Sequence, residues 1–200
     1  MKNTFLILLS ILTLSCKAQI ASLYEYDLDL PEGNYYKDLS NDLNKFEGTW
    51  HYQNNDTLIV MTLQKKAQVY DSTNNTYEDL IIGEYKMEVN NQIILNYLNR
   101  LDDPNITGYE HYIAGMNLLN KNDIPKCLEC GDFERRLQVY FTDPERAYIP
   151  GGIIFRHHIN NSNEEQLIAT FIQVGAYAVD DDSYPSDTRI PLSTYTLTKL

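Results

Sequence analysis

In the run Leu80-Ile81-Ile82-Gly83-Glu84-Tyr85-Lys86-Met87-Glu88-Val89, an extended chain places Ile81, Gly83, Tyr85, Met87 and Val89 on one face and Glu84, Lys86 and Glu88 on the other. Alternation of apolar and charged residues at period two is the pattern of a strand that buries one face and wets the other. Asn90-Asn91 then favours a tight turn, so Gln92 to Tyr97 reads as the returning arm of a hairpin. Upstream, Thr57 to Leu63 is a nearly unbroken apolar strand that opens after Asn54-Asn55-Asp56. Downstream, Leu137, Val139 and Phe141 alternate with Gln138 and Tyr140. Ile153 to Ile159 and Gln166 to Val174 flank the turn Asn160-Asn161-Ser162-Asn163, and Thr194 to Lys199 forms a closing strand. Residues 99–132 are the least regular part. Many short strands with polar connections and no long helix predict a mainly β chain, a single antiparallel barrel of eight or nine strands or a sandwich. The β domain is expected over residues 39–200. It opens with one helical turn at Ser40 to Phe46, and residues 16–38 serve as linker and lead-in around the turn Pro31-Glu32-Gly33-Asn34.

The beginning of the chain has a different character. Met1-Lys2-Asn3 is followed by the apolar run Phe5 to Leu12 and then Thr13-Leu14-Ser15-Cys16. A basic start and roughly ten apolar residues read as a secretory signal peptide over residues 1–15. A membrane-crossing helix takes about 20, so the run is too short to stay as a span. Ser15-Cys16 resembles the end of a bacterial lipoprotein leader, which implies that Cys16 carries a lipid anchor; Thr13 departs from the large aliphatic residue usual at its position. The competing site lies after Cys16-Lys17-Ala18 and would release a secreted chain beginning at Gln19. The protein is therefore expected outside the cytoplasm, in the cell envelope as a periplasmic or outer-membrane lipoprotein, or secreted.

Composition narrows the partners. The formal charge is −12, and loss of Lys2 with the leader makes it −13, a surface that repels phosphate backbones and anionic headgroups. Nucleic acid is therefore not expected as a partner, and membrane attachment would come from the lipid. Sixteen tyrosines against one tryptophan suit half-buried sheet surfaces. Of the three cysteines, acylation of Cys16 leaves Cys127 and Cys130 as an even pair. Cys127-Leu128-Glu129-Cys130 reads as a small disulfide that pins an irregular loop. The alternatives are a zinc site completed by His157 and His158, or redox-active thiols, which would need an activating helix N-terminus. His157 and His158 are adjacent on a strand and point to opposite faces, so they read as ordinary strand histidines. Asp180-Asp181-Asp182 with Asp187 could gather oxygen ligands for calcium, but the spacing of a calcium loop is missing and a solvated charge run is expected. No metal or cofactor is expected. Neither a Gly-x-Ser-x-Gly nor a His-Glu-x-x-His pattern occurs, and no phosphate-binding glycine loop does.

Two resemblances add to this. Phe46-Glu47-Gly48-Thr49-Trp50, a helical turn and then Gly-x-Trp on the first strand, resembles the opening of lipocalin-type barrels, and the resemblance implies that Trp50 plugs a closed barrel end. More broadly, Ser15 to Gln19, Tyr35-Tyr36-Lys37-Asp38, Gly48-Thr49-Trp50, Tyr77 to Tyr85, Arg136-Leu137, Phe141 to Pro144 and Leu197-Thr198-Lys199 resemble a family of uncharacterised exported, lipoprotein-like proteins of Bacteroidetes-type bacteria, a domain of unknown function. That resemblance implies location and supplies no catalytic residue. The expected function is non-enzymatic binding of a small apolar ligand or an envelope partner. A hydrolase of envelope glycans or lipids, or a structural or inhibitor module, are the alternatives. A barrel of about eight strands is either filled by its side chains or holds one small ligand, so the state of the lumen separates the first expectation from the last.

Overall fold

The computed structural model describes residues 19–25, 32–177 and 183–200. Residues 1–15, Cys16 and Asp180 to Asp182 lie outside the described residues. Among those described there are eleven strands: β1 (Ile20–Ser22), β2 (Tyr35–Lys37), β3 (Gly48–Asn54), β4 (Thr57–Asp71), β5 (Thr76–Val89), β6 (Gln92–Asn96), β7 (Ile113–Leu119), β8 (Arg136–Phe141), β9 (Gly151–Ile159), β10 (Glu165–Gln173) and β11 (Thr194–Lys199). Helical structure in these residues is limited to short 3₁₀ turns.

Eight strands close a barrel. β3, β4, β5, β7, β8, β9, β10 and β11 each pair antiparallel with the next, and β11 returns to β3 through Thr198 opposite His51 and Lys199 opposite Trp50. Closure leaves this sheet no open edge. β5 carries the architecture, because the edge that faces away from β4 is shared by three partners. Tyr77 and Glu78 pair with the parallel strand β2, Ile81 to Gly83 with β7, and Lys86 to Val89 with β6. The lead-in expected over 16–38 therefore contributes two short strands, β1 paired on β2 and β2 paired on β5.

The inner faces of the eight strands fill the barrel. Trp50, Met61, Tyr85, Phe155, Leu167 and Leu197 expose none of their surface. Trp50 lies toward one end. Its indole nitrogen donates to the Phe46 carbonyl at 3.0 Å, Phe46 is itself buried in the 3₁₀ turn Asn44–Phe46, and the Lys199 ammonium lies over the ring, 5.2 Å from its centre. At the other end a chain of ring contacts runs from Tyr112 through Tyr97, Tyr85, Phe141, Phe171 and Tyr195 to Tyr52, with centres 4.9–5.5 Å apart. Such edge-on and tilted aromatic pairs add to the burial of the rings themselves. The tyrosines that suggested half-buried sheet surfaces thus also close a barrel end.

Candidate functional site

Period two places Glu84 on the outer face of β5 with Lys86 and Glu88, where water was expected. The structure corrects that expectation: β5 is buried on both faces from Glu78 to Tyr85. The chain between β6 and β7 folds back over the outer face of β5, and Leu80, Ile82 and Glu84 disappear beneath it. Glu84 gathers partners from this cover on one carboxylate oxygen. Nδ1 of His111 lies 3.0 Å away and the Arg100 guanidinium donates at 3.2 Å, while the Arg100 plane stacks over Tyr112 at 4.0 Å. The other oxygen is buried without a partner. Burial pushes the Glu84 carboxyl above its ordinary range, and the His111 hydrogen bond and the Arg100 charge only partly oppose the shift. Glu78 lies on the same face, held by Tyr109 at 2.6 Å and Thr76 at 3.0 Å, and burial shifts it upward too.

A hydrolase would place two acidic or imidazole groups in an open pocket. Glu84 and His111 do converge, but their side chains are 0% and 2% exposed. His111 reaches the lining of a cleft of about 610 Å³ between β4 and residues 101–111, and Glu84 does not. What the pair does, on this geometry, is tie the cover to the barrel wall.

A second ion pair stands at the aromatic end. Asp143 is buried and accepts from the backbone and guanidinium of Arg189, which also bonds Tyr97 and pairs with Glu145. Burial raises the Asp143 carboxyl, but the Arg189 hydrogen bonds and charge outweigh it and the net direction is down. Near the Trp50 end, Asp38 caps the turn at Asp42 and Leu43 and binds the Lys65 ammonium at 2.7 Å, while Asp79 accepts from Tyr35, Asp38 and Gln68. These carboxylates join the lead-in to the barrel. None stands out in sequence, because Lys65, Tyr35, Gln68 and Arg189 reach these carboxylates from other segments only once the chain has folded.

An apolar depression lies on the outer wall. A cleft of about 440 Å³ is lined by Gly115, Met116, Val139, Tyr109 and Tyr140, with Asn117 and Gln138 beside them. The two amides hydrogen-bond each other at 3.1 Å, and the rings of Tyr109 and Tyr140 meet at 6.3 Å. A register shift in β7 between Ala114 and Asn117 shapes the lining.

Of the residues singled out from sequence, Cys127 and Cys130 form a disulfide, with Cα atoms 5.3 Å apart. This is the disulfide read from the spacing of the two cysteines. His157 points inward, its ring edge-on to Trp50 at 6.3 Å, whereas His158 is exposed. Asp187 is exposed and its carbonyl accepts from Arg146. Among the described residues no group of three or more His, Cys, Asp or Glu side chains gathers as a metal site would require. No described helix is long and apolar enough to cross a membrane.

No curated protein and no solved structure matches the chain. A family model described as a family of unknown function, DUF6705, matches residues 1–200, and the chain belongs to that family.

Proposed function

We propose that this protein is an exported module, anchored through an acylated Cys16, that binds a small apolar ligand or an envelope partner without catalysis, and that it does so on the outer wall of the barrel. The carrying observation is the contrast between the two places a ligand could go. The lumen is occupied by Trp50, Met61, Tyr85, Phe155 and Leu167, all without exposed surface, while the wall carries an open cleft of about 440 Å³ with Met116 and two tyrosines. An apolar lining with a few polar groups to fix orientation is the usual make-up of a small-molecule site. The Asn117 and Gln138 amides and the two phenol groups supply the polar part, so the best fit is a ligand with an apolar body and a hydrogen-bonding end.

The test is a backbone NMR titration of the labelled protein with a short-chain lysophospholipid below its micelle concentration. Saturable shifts confined to Gly115 to Asn117 and Gln138 to Tyr140 are expected. Shifts centred on Ile81, Phe155 and Leu167 would place the ligand in the lumen and defeat the reading.

A further inference from the structure

The connection between β7 and β8 displays three large apolar side chains almost fully to water: Ile124 is 86% exposed, Leu128 92% and Phe133 92%. Among the described residues they are the most exposed of the large apolar side chains, ahead of Leu200 at 74% and Tyr140 at 64%. The exposure does not come from a slack loop. Cys127 and Cys130 are bonded, the Cys127 amide donates to the Lys121 carbonyl at 2.9 Å, and the Arg136 guanidinium binds the carbonyls of Asn120, Asp123 and Pro125 at 2.7–3.2 Å. Arg156 fastens the loop from the barrel wall, through Glu134 at 2.6 Å and the Glu129 carbonyl at 3.1 Å. Polar backbone is turned inward onto side chains and apolar side chains are turned outward, an arrangement suited to a medium that offers no hydrogen bonds.

We propose that this braced loop dips Ile124, Leu128 and Phe133 into the interfacial layer of a phospholipid bilayer, so that the barrel sits on the membrane in a fixed orientation. The inference rests in part on the anchoring of Cys16 proposed above. Gln19 is three residue steps from Cys16, a reach of about 10 Å at most. Gln19 is bonded to Tyr35 of the sheet, and Tyr24 lies beneath the guanidinium of Arg135, at the root of the loop, 5.1 Å from ring centre to carbon. A lipid on Cys16 would therefore hold the bilayer close to this loop and away from the aromatic end of the barrel. Charge agrees. Residues 120–136 hold four basic and four acidic side chains, so the −12 of the chain resides elsewhere and this segment does not repel anionic headgroups. Side chains such as these suit insertion to the depth of the headgroup and upper acyl region.

The test uses the full chain purified from membranes and reconstituted in phosphatidylcholine vesicles whose acyl chains are brominated. Phe133→Trp is compared with Ile93→Trp, which adds a tryptophan at an exposed residue of β6. Both substitutions fall on exposed side chains, and Trp50 is the shared buried background. Emission from Phe133→Trp is expected to move to shorter wavelength and to be quenched about twofold or more, with Ile93→Trp unchanged, as insertion at interfacial depth requires. Equal, weak quenching of the two variants overturns the proposal. A blue shift at residue 133 without bromine quenching also overturns it, since a protein partner or second copy would then cover the loop. Mass analysis of the mature N-terminus reports separately on Cys16. An acyl mass with no quenching removes insertion and keeps anchoring, whereas quenching without an acyl mass removes anchoring and keeps insertion.

Discussion

Glu84 shows how a single side chain departs from what its neighbours in sequence suggest. Flanked by apolar positions and followed by Lys86 and Glu88, it has the surroundings of a wet face, yet it exposes none of its surface. Its carboxyl is shifted upward by burial, and Glu78 on the same face is shifted the same way for the same reason. An acid whose folded pKa is raised contributes stability below the unfolded value of 4.5 and loses that contribution as pH rises through the folded value. Asp143 acts in the opposite sense: with its pKa lowered by Arg189, its contribution is present above 3.8 and disappears as pH falls through the folded value. Urea unfolding at a series of pH values should therefore show a decline in stability above about pH 4.5 that is shallower in Glu84→Gln than in the parent. Because glutamine cannot take a proton there, a decline of identical slope in the two proteins would mean that Glu84 is not the group responsible.

At the scale of elements, β5 explains both what could be read in advance and what could not. Its alternation marks a strand and correctly assigns Ile81, Gly83, Tyr85 and Met87 to the inner face, since the inside of a barrel needs an apolar residue at every second position. Its outer cover was not legible, because residues 97–112 carry no period and reach β5 through Leu101, His111 and Tyr112 only once the chain has folded. β7 was missed for a related reason: the register shift between Ala114 and Asn117 breaks the alternation that would have announced it. The polar half of β4 was also missed, since Lys65, Lys66 and Gln68 look like a loop and the strand passes through them with a register shift, Gln68 at φ 54°. The cysteine pair was readable because its spacing is short and its chemistry is local. Gly83 gives the element-level prediction. A Cβ there would lie 2.5 Å from a methyl of Leu63 and 2.9 Å from the Thr62 carbonyl oxygen. Leu63 is fully packed and the carbonyl belongs to the β4 ladder, so neither can withdraw freely. Alanine normally gains over glycine in a strand by up to about 1 kcal/mol, but overpacking costs about 1–3 kcal/mol, and here the clash is with backbone as well as side chain. Gly83→Ala should therefore lower the urea midpoint with an unchanged slope, and an equal or higher midpoint would show that β4 and β5 can separate without cost.

For the molecule as a whole, closure links parts that are distant in sequence. β11 completes the barrel by pairing with β3, so the last strand and Trp50 form or break together. Trp50 is the sole tryptophan, fully buried at one end, and the ring chain from Tyr112 to Tyr52 closes the other. An open sheet could fray from an edge strand and give separate signals for its two sides, whereas a closed sheet with a continuous core has no side to lose first. The core joins the lead-in as well, since Tyr36 and Leu23 belong to the same buried cluster as Trp50 and Tyr85. The disulfide loop differs: it stands outside the closed sheet, and its four-residue ring contributes at most about 2 kcal/mol on a chain-entropy account. Unfolding followed by Trp50 emission and by far-ultraviolet circular dichroism should therefore give one coincident transition. Reduction of Cys127–Cys130 should shift that transition by no more than about 2 kcal/mol and leave the two signals superimposed. If the two probes report different midpoints, the barrel is not the single cooperative unit that its closure implies, and the Trp50 end unfolds on its own.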